Sequence, residues 1–494
     1  MNNKINKSAI VIGAGFAGIS AATGLADKGF TVTVLEKNSS PGGRARKFET
    51  GGFSFDMGPS WYWMPDIFES YFNAFGKSAS DYYNLKRLDP SYRIFFGVDD
   101  VVDLPANLEK MYRLFESIEE GAGDNLRQFL NEAEYKYNVG MKEFVYKPSL
   151  SFLEYADLRL MKAAVKLHMF KSFESYARRY FSNPRLLQML EFPILFLGGT
   201  AQKTPALYSL MNYGDIKLGT WYPMGGMFKI VEAMVKLAEE KGVQFVYDAP
   251  VDKLVANANR VKEVVAGENS YRADYIIGAA DYHHIEQDLL PADFRKYSDK
   301  YWESRVMSPS TLLWYVGVNK KLPELEHHNL LFDEEFEPHA RSIYDDPGWP
   351  EKPSAYVCMT SKYDDSVAPE GHENLFILIP VAPGLRDSEE IRRKYFDIVL
   401  DRLEKLIGEN IRDHIVYHRS YAHADYQKDY NAYKGNAYGL ANTLMQTAFL
   451  KPSLRSPKAK NLYYAGQLTV PGPGVPPAII SGQIVSKLIY EREN

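Results

Sequence analysis

The chain has 494 residues, of which 45% are hydrophobic and 24% charged, and this ordinary globular composition excludes a disordered or collagen-like chain. Its 58 Lys and Arg against 63 Asp and Glu give a net charge of −5, which argues against a nucleic-acid partner recognised through overall positive charge. The one cysteine, Cys358, excludes a disulfide scaffold and a zinc site built on several cysteines, and it fits a reducing compartment.

The N-terminal residues predict a strand, a tight turn, a helix and a second strand. Residues 8–12 are an apolar run that leads into Gly-Ala-Gly-Phe-Ala-Gly. A helical pattern then continues to Lys28, and Gly29 is the residue type that usually follows a helix. Residues 31–35 form a second β-rich run that ends at Glu36. The whole segment has the size of a β-α-β unit.

The remaining elements alternate between helices and strands. Residues 107–192 have a largely helical pattern, and further helices are predicted at residues 227–241, 396–407 and 478–490. Strands are predicted at residues 243–247, 251–255, 260–265, 275–278, 309–319 and 375–381. This alternation predicts an α/β fold with insertions.

Two uncharged stretches resemble a signal peptide and a transmembrane helix, respectively. Residues 8–26 follow two lysines as a signal peptide would, but their four glycines are poor in a hydrophobic helix. Residues 461–486 are long enough to span a bilayer, but they contain four prolines within seven residues. The sequence therefore predicts neither a cleaved signal nor a transmembrane helix.

The turn after the first predicted strand has the pattern of a dinucleotide-binding fingerprint. Gly13, Gly15 and Gly18 have the required spacing between a strand and a helix. The first glycine permits the turn, the second lets a pyrophosphate approach the helix N-terminus, and the third permits close helix–strand packing. Glu36, 18 residues after Gly18, is placed to accept a hydrogen bond from a ribose hydroxyl and disfavours a 2′-phosphate.

The residues after Glu36 favour FAD over NAD. Pro41-Gly42-Gly43-Arg44 offers a guanidinium for phosphate or ribose oxygens. Phe55-Asp56-Met57-Gly58-Pro59 follows within 24 residues of Glu36, and its glycine lets backbone approach a flat ring. Together these segments predict a flavin.

The chain resembles the bacterial phytoene desaturases, the carotenoid-desaturase branch of the FAD-dependent amine-oxidase-like flavoproteins, over residues 8–490. Beyond the fingerprint, the resemblance rests on residues 55–59, 221–226, 368–371, 431–435, 461–466 and 471–476. The last two segments resemble the carotenoid-desaturase C-terminal signature. By this resemblance, the residues expected to contact FAD are Gly13, Gly15, Phe16, Ala17, Gly18, Glu36, Lys37, Gly43, Arg44, Gly58, Pro59, Val251, Gly466, Gln467, Val475 and Pro476.

The chain departs from its relatives in three places, one of which is Pro477, where relatives often have a small residue. Gly466-Gln467 stands where relatives often have Gly-Asp, so a charged contact near the ribityl chain is lost. Trp61, Tyr62 and Trp63 make the segment beside the flavin bulkier than in many relatives. These aromatic residues either shape one end of a substrate tunnel or belong to the core, and the sequence leaves both readings open.

The resemblance implies a two-lobed α/β flavoprotein: a Rossmann-type FAD-binding domain with an inserted mixed-sheet substrate domain and a helical cap. The FAD-binding domain is assigned residues 1–75, 222–290 and 435–494. The substrate-binding domain is assigned residues 76–221 and 291–434, with a membrane-facing cap over about 107–192.

The implied activity is desaturation of phytoene to lycopene by hydride transfer to FAD and loss of a proton from the adjacent carbon. No catalytic residue can be named, because a cation beside an allyl system is such a strong carbon acid that a weak base suffices. His423 and Asp425 are possible bases, but a structural role is favoured for both. His283-His284 and His327-His328 are interpreted as non-ligands, because adjacent side chains do not face the same way, so no metal site is predicted.

The expected partners are a lipophilic polyene, a membrane surface and an electron acceptor. A second dinucleotide fingerprint is not found in the sequence, so quinone or oxygen is expected to reoxidise the flavin. Residues 142–179 carry eight Lys and Arg against four acids, and they interleave Leu160, Met161, Leu167, Met169, Phe170 and Phe173 with cations. This pattern predicts an interfacial helix, or else an ordinary amphipathic helix over the substrate domain. The expected location is the cytoplasmic face of the cell membrane.

Four alternatives to phytoene desaturation remain open. A later carotenoid desaturase or a carotenoid isomerase fits the same signatures. An amine oxidase of the same fold and a non-enzymatic escort of prenylated proteins fit them less well.

Overall fold

The protein's structure is a computed structural model that describes residues 7–155, 167–169, 171–195 and 199–493. The strands are β1 Ser8–Ile12, β2 Thr31–Leu35, β3 Lys47–Thr50, β4 Phe53–Asp56, β5 Leu85–Arg87, β6 Tyr92–Gly97, β7 Asp100–Leu104, β8 Trp221–Pro223, β9 Gln244–Val246, β10 Lys253–Asn257, β11 Arg260–Ala266, β12 Asn269–Tyr271, β13 Tyr275–Gly278, β14 Ser310–Val318, β15 His328–Leu331, β16 Ala355–Cys358, β17 Glu373–Val381, β18 Ile415–Tyr421 and β19 Leu462–Tyr464.

The helices alternate with these strands and cover their sheets. They are α1 Phe16–Asp27, α2 Pro65–Asn73, α3 Leu108–Ile118, α4 Ala122–Gly140, α5 Phe173–Ala177, α6 Pro184–Leu195, α7 Leu210–Asn212, α8 Phe228–Glu240, α9 Asp299–Glu303, α10 Phe336–Tyr344, α11 Glu389–Ile407, α12 His423–Tyr430 and α13 Val475–Glu493. Pro476 and Pro477 fall in the first turn of α13, where proline is tolerated because the first N–H groups have no intrahelical partner.

A five-stranded parallel sheet forms the nucleotide-binding half of the molecule. Its strand order is β19-β13-β1-β2-β9, and every neighbouring pair runs parallel. Val11, Val32 and Val34 are fully buried, because a parallel sheet is covered on both faces. The strand order reverses direction around β1, and the loops after β1 and β13 therefore open toward one crevice.

A seven-stranded mixed sheet forms the other half. Its strand order is β18-β14-β17-β16-β15-β6-β7, and β15 and β6 are its parallel pair. Along β14, Leu312, Trp314 and Val316 share one buried cluster with the apolar face of α11. The alternate side chains of the central strands point to the opposite face, because side chains alternate along a strand. That opposite face borders the functional site.

The first and last long helices pack unusually close together. A Cβ placed on Gly482 of α13 would lie 2.4 Å from the carbonyl oxygen of Ala17 on α1. The Ser20 hydroxyl also donates to the Ile479 carbonyl across this contact, at 2.7 Å. The contact brings the C-terminal residues of the chain to the N-terminal nucleotide turn.

Most predicted elements coincide with observed ones, and the predicted fold class is confirmed. The strands at residues 8–12, 31–35 and 275–278 have the predicted limits, whereas the strand predicted at 251–255 begins at Lys253. The other strands, β3 to β8, β12, β15, β16, β18 and β19, were not predicted. The division into FAD-binding and substrate-binding segments stays a prediction.

The described residues of the predicted interfacial segment differ from the expectation. Leu167 and Phe173 are fully buried rather than turned to a membrane, and the Phe173 ring lies 6.5 Å from the Phe129 ring of α4. Leu160, Met161 and Phe170 lie outside the described residues. Among the described helices, none combines the length and the apolar character that crossing a bilayer requires.

Candidate functional site: a cavity between the two sheets

The nucleotide turn joins β1 to α1 and needs glycine at specific positions. Gly13 has φ +103°, in the region that favours glycine, and a Cβ on Gly18 would lie 2.0 Å from the Gly13 carbonyl oxygen. A Cβ on Gly15, in contrast, meets no protein atom within 4 Å. Gly15 therefore leaves open space at the N-terminus of α1, where an anion is favoured.

Glu36 at the end of β2 is buried and fixed by the turn it faces. One carboxylate oxygen accepts a hydrogen bond from the Ala14 N–H at 2.7 Å, and the other accepts from the Asn38 N–H at 2.9 Å. These bonds hold the carboxylate in the crevice beside Gly13. A carboxylate so held has lone pairs left for a ribose hydroxyl.

The Arg44 side chain reaches from the loop after β2 to Asn436 in the C-terminal part of the chain. Its Nη2 donates to the Asn436 carbonyl at 3.1 Å, and with the Gln467 amide oxygen turned toward it the same nitrogen lies 3.0 Å from that oxygen. The guanidinium also stacks 5.3 Å from the Tyr430 ring centroid. Arg44 Nε is buried without a hydrogen-bond partner, so this donor remains available to a phosphate or ribose oxygen.

Asp56 in the segment 55–59 caps a helix instead of facing the crevice. Its carboxylate accepts from the Met227 N–H at 2.7 Å and from the Phe228 N–H at 3.0 Å, at the start of α8. Burial raises the pKa of Asp56 to about 6. Gly226 must be glycine, because a Cβ there would lie 2.8 Å from Asp56 Oδ2. Two of the segments that carry the family resemblance, 55–59 and 221–226, thus form one structural unit.

The C-terminal segment closes over the turn. Gly466 has φ +120°, and its N–H donates to the Ser481 hydroxyl on α13 at 3.0 Å. The chain then continues through Pro473 and Gly474 into the first turn of α13, which faces the same crevice as the N-terminus of α1. The N-terminal fingerprint and the C-terminal signature therefore form one site.

A cavity of about 390 Å³ lies between the two sheets, and Gly13, Gly15, Glu36, Arg44 and Gly466 line it. Every residue predicted to contact FAD lines it except Gly18, which packs against the backbone of Gly13 instead. Lys37 lines it while its ammonium donates to Asn431 Oδ1 at 3.0 Å. Val251 lines it beside Ala249, which pairs with the Glu36 backbone. Contact of these residues with FAD stays a prediction.

The far end of the cavity is apolar and aromatic, and the sequence did not identify most of it. The seven-stranded sheet contributes Thr311 and Leu313 from β14, Phe376 and Leu378 from β17, and Tyr356 from β16. Each pair is two residues apart and so shares one face of its strand. The alternating pattern of two apolar strands was visible in the sequence, but which face met a ligand was not.

The three bulky residues 61–63 do not all lie in the same place. Trp61 and Trp63 line the cavity. Tyr62 is buried elsewhere, with its hydroxyl 2.8 Å from the Tyr83 hydroxyl.

The two possible bases named from the sequence have structural partners. His423 Nε2 lies 2.8 Å from the Ala382 carbonyl oxygen, and neither His423 nor Asp425 lines the cavity. Asp425 accepts from the Ala422 N–H at the start of α12 and pairs with Arg392. These contacts support the structural role that the sequence favoured.

The argument against a shared histidine site was wrong for one of the two pairs. His327 and His328 have ring centroids 4.4 Å apart, and with Cys358 their potential ligand atoms all lie within 4.8 Å of one another. The reason is that His327 precedes β15, where the alternation of a strand does not yet hold, and β15 pairs with β16 so that His328 faces Cys358. His284, in contrast, pairs with Asp288, and His283 stacks on Tyr433.

Comparison with known proteins identifies the family to which the chain belongs. The model of the family described as flavin containing amine oxidoreductase matches residues 16–490. A carotenoid 3,4-desaturase from Haloarcula japonica is 43% identical over 99% of both chains. The chain belongs to the carotenoid desaturases of this flavoprotein family.

More distant carotenoid desaturases match at nearly full length. A zeta-carotene-forming phytoene desaturase from Myxococcus xanthus is 31% identical over 97% of this chain and 93% of its own. A 4,4′-diapophytoene desaturase from Staphylococcus haemolyticus is 30% identical over 97% of this chain and 98% of its own.

Solved structures share the fold. An oxidoreductase from Methanosarcina mazei superposes with a TM-score of 0.65 at 16% identity, covering 97% of this chain and 100% of its own. Putrescine oxidase superposes with a TM-score of 0.63 at 14% identity, covering 99% of this chain and 100% of its own.

The cofactor of this carotenoid desaturase is FAD, and the structure fits it. Gly15 with the open space at its Cα, the buried Glu36 carboxylate and Arg44 with its unpartnered Nε all line the cavity. When bound, FAD supplies the acceptor for a hydride. The protein supplies the anchoring groups and a water-excluding apolar end.

Replacing Glu36 by Gln should weaken FAD binding about tenfold. In the variant an NH₂ group replaces one carboxylate oxygen, so the side chain must rotate before its remaining oxygen can accept from the Ala14 N–H. A hydrogen bond to a charged group contributes about 1.5–3 kcal/mol. Titration of the apoprotein with FAD, followed by flavin fluorescence, measures the change. Glu286→Gln is the matched control, because Glu286 is a buried carboxylate that accepts from Lys296 N at 2.7 Å outside the cavity. Equal affinities for Glu36→Gln and the wild type would refute the role of Glu36.

Proposed function

We propose that the protein desaturates a C40 carotenoid at the bond between carbons 3 and 4. The observation that carries this proposal is the 43% identity with a carotenoid 3,4-desaturase over 99% of both chains. Relatives named for earlier desaturation steps reach 31% and 30% over similar lengths. The difference between 43% identity and 31% or 30% favours desaturation between carbons 3 and 4 over the earlier desaturation steps.

Desaturation of phytoene toward lycopene is the second candidate. It is supported by the full-length match to the phytoene desaturase of Myxococcus xanthus and by the C-terminal signature that the two kinds of enzyme share. An isomerase is less well supported, because these relatives are named as desaturases.

The cavity suits either substrate in the same physical way. Its aromatic end offers Trp61, Trp63 and Phe376 to a hydrocarbon chain, so binding depends on packing rather than on a charged contact. Exclusion of water at this end keeps the reacting carbons away from competing nucleophiles. Removal of a hydride and then of the neighbouring proton forms the new double bond.

Pigment analysis in two hosts separates the candidates. One host accumulates phytoene and the other accumulates lycopene, and each expresses the chain. We expect the lycopene host to form pigment with a red-shifted absorption spectrum and the phytoene host to stay colourless. Colour in the phytoene host would assign the earlier reaction instead. No change in either host, with flavin-bound protein present, would contradict both assignments.

A variant without cofactor serves as the control for pigment analysis. A Cβ on Gly15 meets no protein atom, and its backbone conformation is open to any residue, so Gly15→Val should fold. Its side chain occupies the space at the N-terminus of α1, so the variant should bind no FAD and leave the pigment spectrum of each host unchanged.

We also propose that the protein works on the cytoplasmic face of the cell membrane. Six exposed apolar residues come from two segments far apart in the chain, and we call them the apolar patch: Leu150, Phe152, Leu153, Met445, Phe449 and Leu450. The Phe152 and Phe449 rings join the two segments, with centroids 5.5 Å apart. In the sequence, Arg159, Lys162 and Lys166 follow soon after. An apolar patch followed by cations is typical of membrane-surface binding.

Replacing Leu153 by Glu should release the protein from vesicles. Leu153 is 79% exposed, and burying a leucine side chain contributes about 1.5–3 kcal/mol, so we expect about tenfold weaker binding. Flotation with vesicles that contain anionic lipid measures the bound fraction. Val416→Glu is the control, because Val416 is 53% exposed on β18 and lies outside the apolar patch. Equal flotation of Leu153→Glu and the wild type would contradict the proposal.

For the electron acceptor we propose quinone or oxygen. A quinone shares the membrane with the carotenoid, and the sequence contains no second fingerprint for a nicotinamide cofactor. The rates at which each acceptor restores the oxidised flavin band distinguish the two.

A further inference from the structure

Two buried histidines and the single cysteine of the chain lie close together beside the cavity. His327 directly precedes β15, His328 begins it, and Cys358 ends β16, where it pairs with His328 across the two strands. One potential ligand atom of each side chain lies within 4.8 Å of the other two. All three residues are at most 2% exposed. Among the residues that the structure describes, no other His, Cys, Asp or Glu joins this group, which we call the His–His–Cys cluster.

The His327 imidazole is buried without a hydrogen bond. Neither its Nδ1 nor its Nε2 has a hydrogen-bond partner. His339 shows how the same chain satisfies a buried histidine: its Nε2 lies 2.7 Å from the Pro380 carbonyl oxygen, and its Nδ1 accepts from the Ser354 N–H at 3.0 Å. An unpartnered polar group is costly to bury, and a bound ion removes this cost for a nitrogen lone pair.

The hydrogen bonds of His328 leave its second nitrogen with a free lone pair. The Tyr356 hydroxyl donates its proton to Ser60 Oγ at 2.9 Å, so its oxygen accepts from His328 Nδ1, which lies 2.6 Å away. With the proton of the neutral ring on Nδ1, the lone pair is on Nε2, and Nε2 has no hydrogen-bond partner. Metal-binding histidines have this arrangement, because one ring nitrogen donates to a neighbouring acceptor while the other binds the ion.

We propose that the His–His–Cys cluster binds one Cu⁺ ion. Thiolate sulfur and imidazole nitrogen are ligands that suit Cu⁺ and Zn²⁺ rather than Mg²⁺ or Ca²⁺. Three ligands are enough for Cu⁺, whereas structural Zn²⁺ sites almost always have four. One thiolate cancels the charge of Cu⁺ completely but leaves Zn²⁺ with a net positive charge, which is costly in a buried site. The Cys358 thiol releases its proton when the ion binds.

An ion at the cluster stabilises the aromatic end of the cavity. The Trp61 ring lines the cavity and stacks on the His328 imidazole, with centroids 3.9 Å apart and planes 12° apart. Tyr356 also lines the cavity and is bonded to the same imidazole. A metal bond to His328 therefore holds both cavity-lining side chains in place and links β15 to β16. Binding of the ion does not require a carotenoid, so this proposal is independent of the proposed function.

Metal titration of the purified FAD-bound protein tests the site. The protein is first dialysed against a metal chelator, and Cu⁺ is then added without oxygen together with a coloured chelator that competes for it. We expect the wild type to take one equivalent of Cu⁺ from the coloured chelator. Cys358→Ser and His327→Gln should take none, because each variant lacks one ligand. Uptake of Zn²⁺ but not Cu⁺ in a matching titration would overturn the assignment of Cu⁺, and uptake of neither ion would overturn the site.

Two controls separate the cluster from other groups that bind copper. His339→Gln removes a buried histidine outside the cluster and should still take one equivalent. Retained FAD shows that each variant is folded. X-ray absorption of the Cu⁺-loaded wild type should show a sulfur ligand that is lost in Cys358→Ser. Copper bound by nitrogen and oxygen alone would contradict the site.

Thermal unfolding gives a measurement that does not depend on the competing chelator. An ion that binds the folded protein stabilises it, so Cu⁺ should raise the Tm of the wild type and of His339→Gln. It should leave the Tm of Cys358→Ser unchanged. An equal rise in Tm for the wild type and Cys358→Ser would mean that the ion binds elsewhere, and this result would overturn the proposal.

Discussion

The close contact between α1 and α13 is the constraint on which the site depends. Gly482 has no room for a side chain against the Ala17 carbonyl oxygen, and Gly24 has little against the Ser486 hydroxyl. With the two helices in contact, the segment between β19 and α13 closes over the nucleotide turn. A wider separation would place Gly466 and Arg44 on different surfaces, and neither end of the chain would hold a dinucleotide alone.

The cavity has a polar end and an apolar end, and this difference suits binding of both FAD and a carotenoid. The end near Glu36 and Arg44 offers a carboxylate, a guanidinium and a helix N-terminus, which suit sugar and phosphate groups. The end near Trp61 and Phe376 is aromatic and suits a hydrocarbon. Gly58 and Pro59 also line the cavity. A Cβ on Gly58 would lie 2.4 Å from the Arg44 carbonyl oxygen, so glycine lets these two backbone segments pack against each other.

Local patterns were enough to predict the nucleotide half from the sequence. The glycine spacing, the strand before it and Glu36 after it lie within about 30 residues, and each has a local physical reason. The polar chain Ser60–Tyr356–His328 could not be predicted in this way. It depends on the pairing of β15 with β16 and on the approach of a loop almost 300 residues away, and neither is encoded in neighbouring residues. The same limitation explains Leu167 and Phe173, whose amphipathic pattern gave no sign that both side chains are buried.

In the proposed reaction, one cavity brings FAD and a carotenoid together for direct hydride transfer. The most direct test mixes the oxidised holoprotein, without oxygen, with one equivalent of carotenoid, and follows the flavin and carotenoid absorption bands together. The account predicts that the flavin band is lost at the same rate as the carotenoid band shifts to longer wavelength, with one new double bond for each flavin reduced. A new double bond formed while the flavin stays oxidised would contradict it.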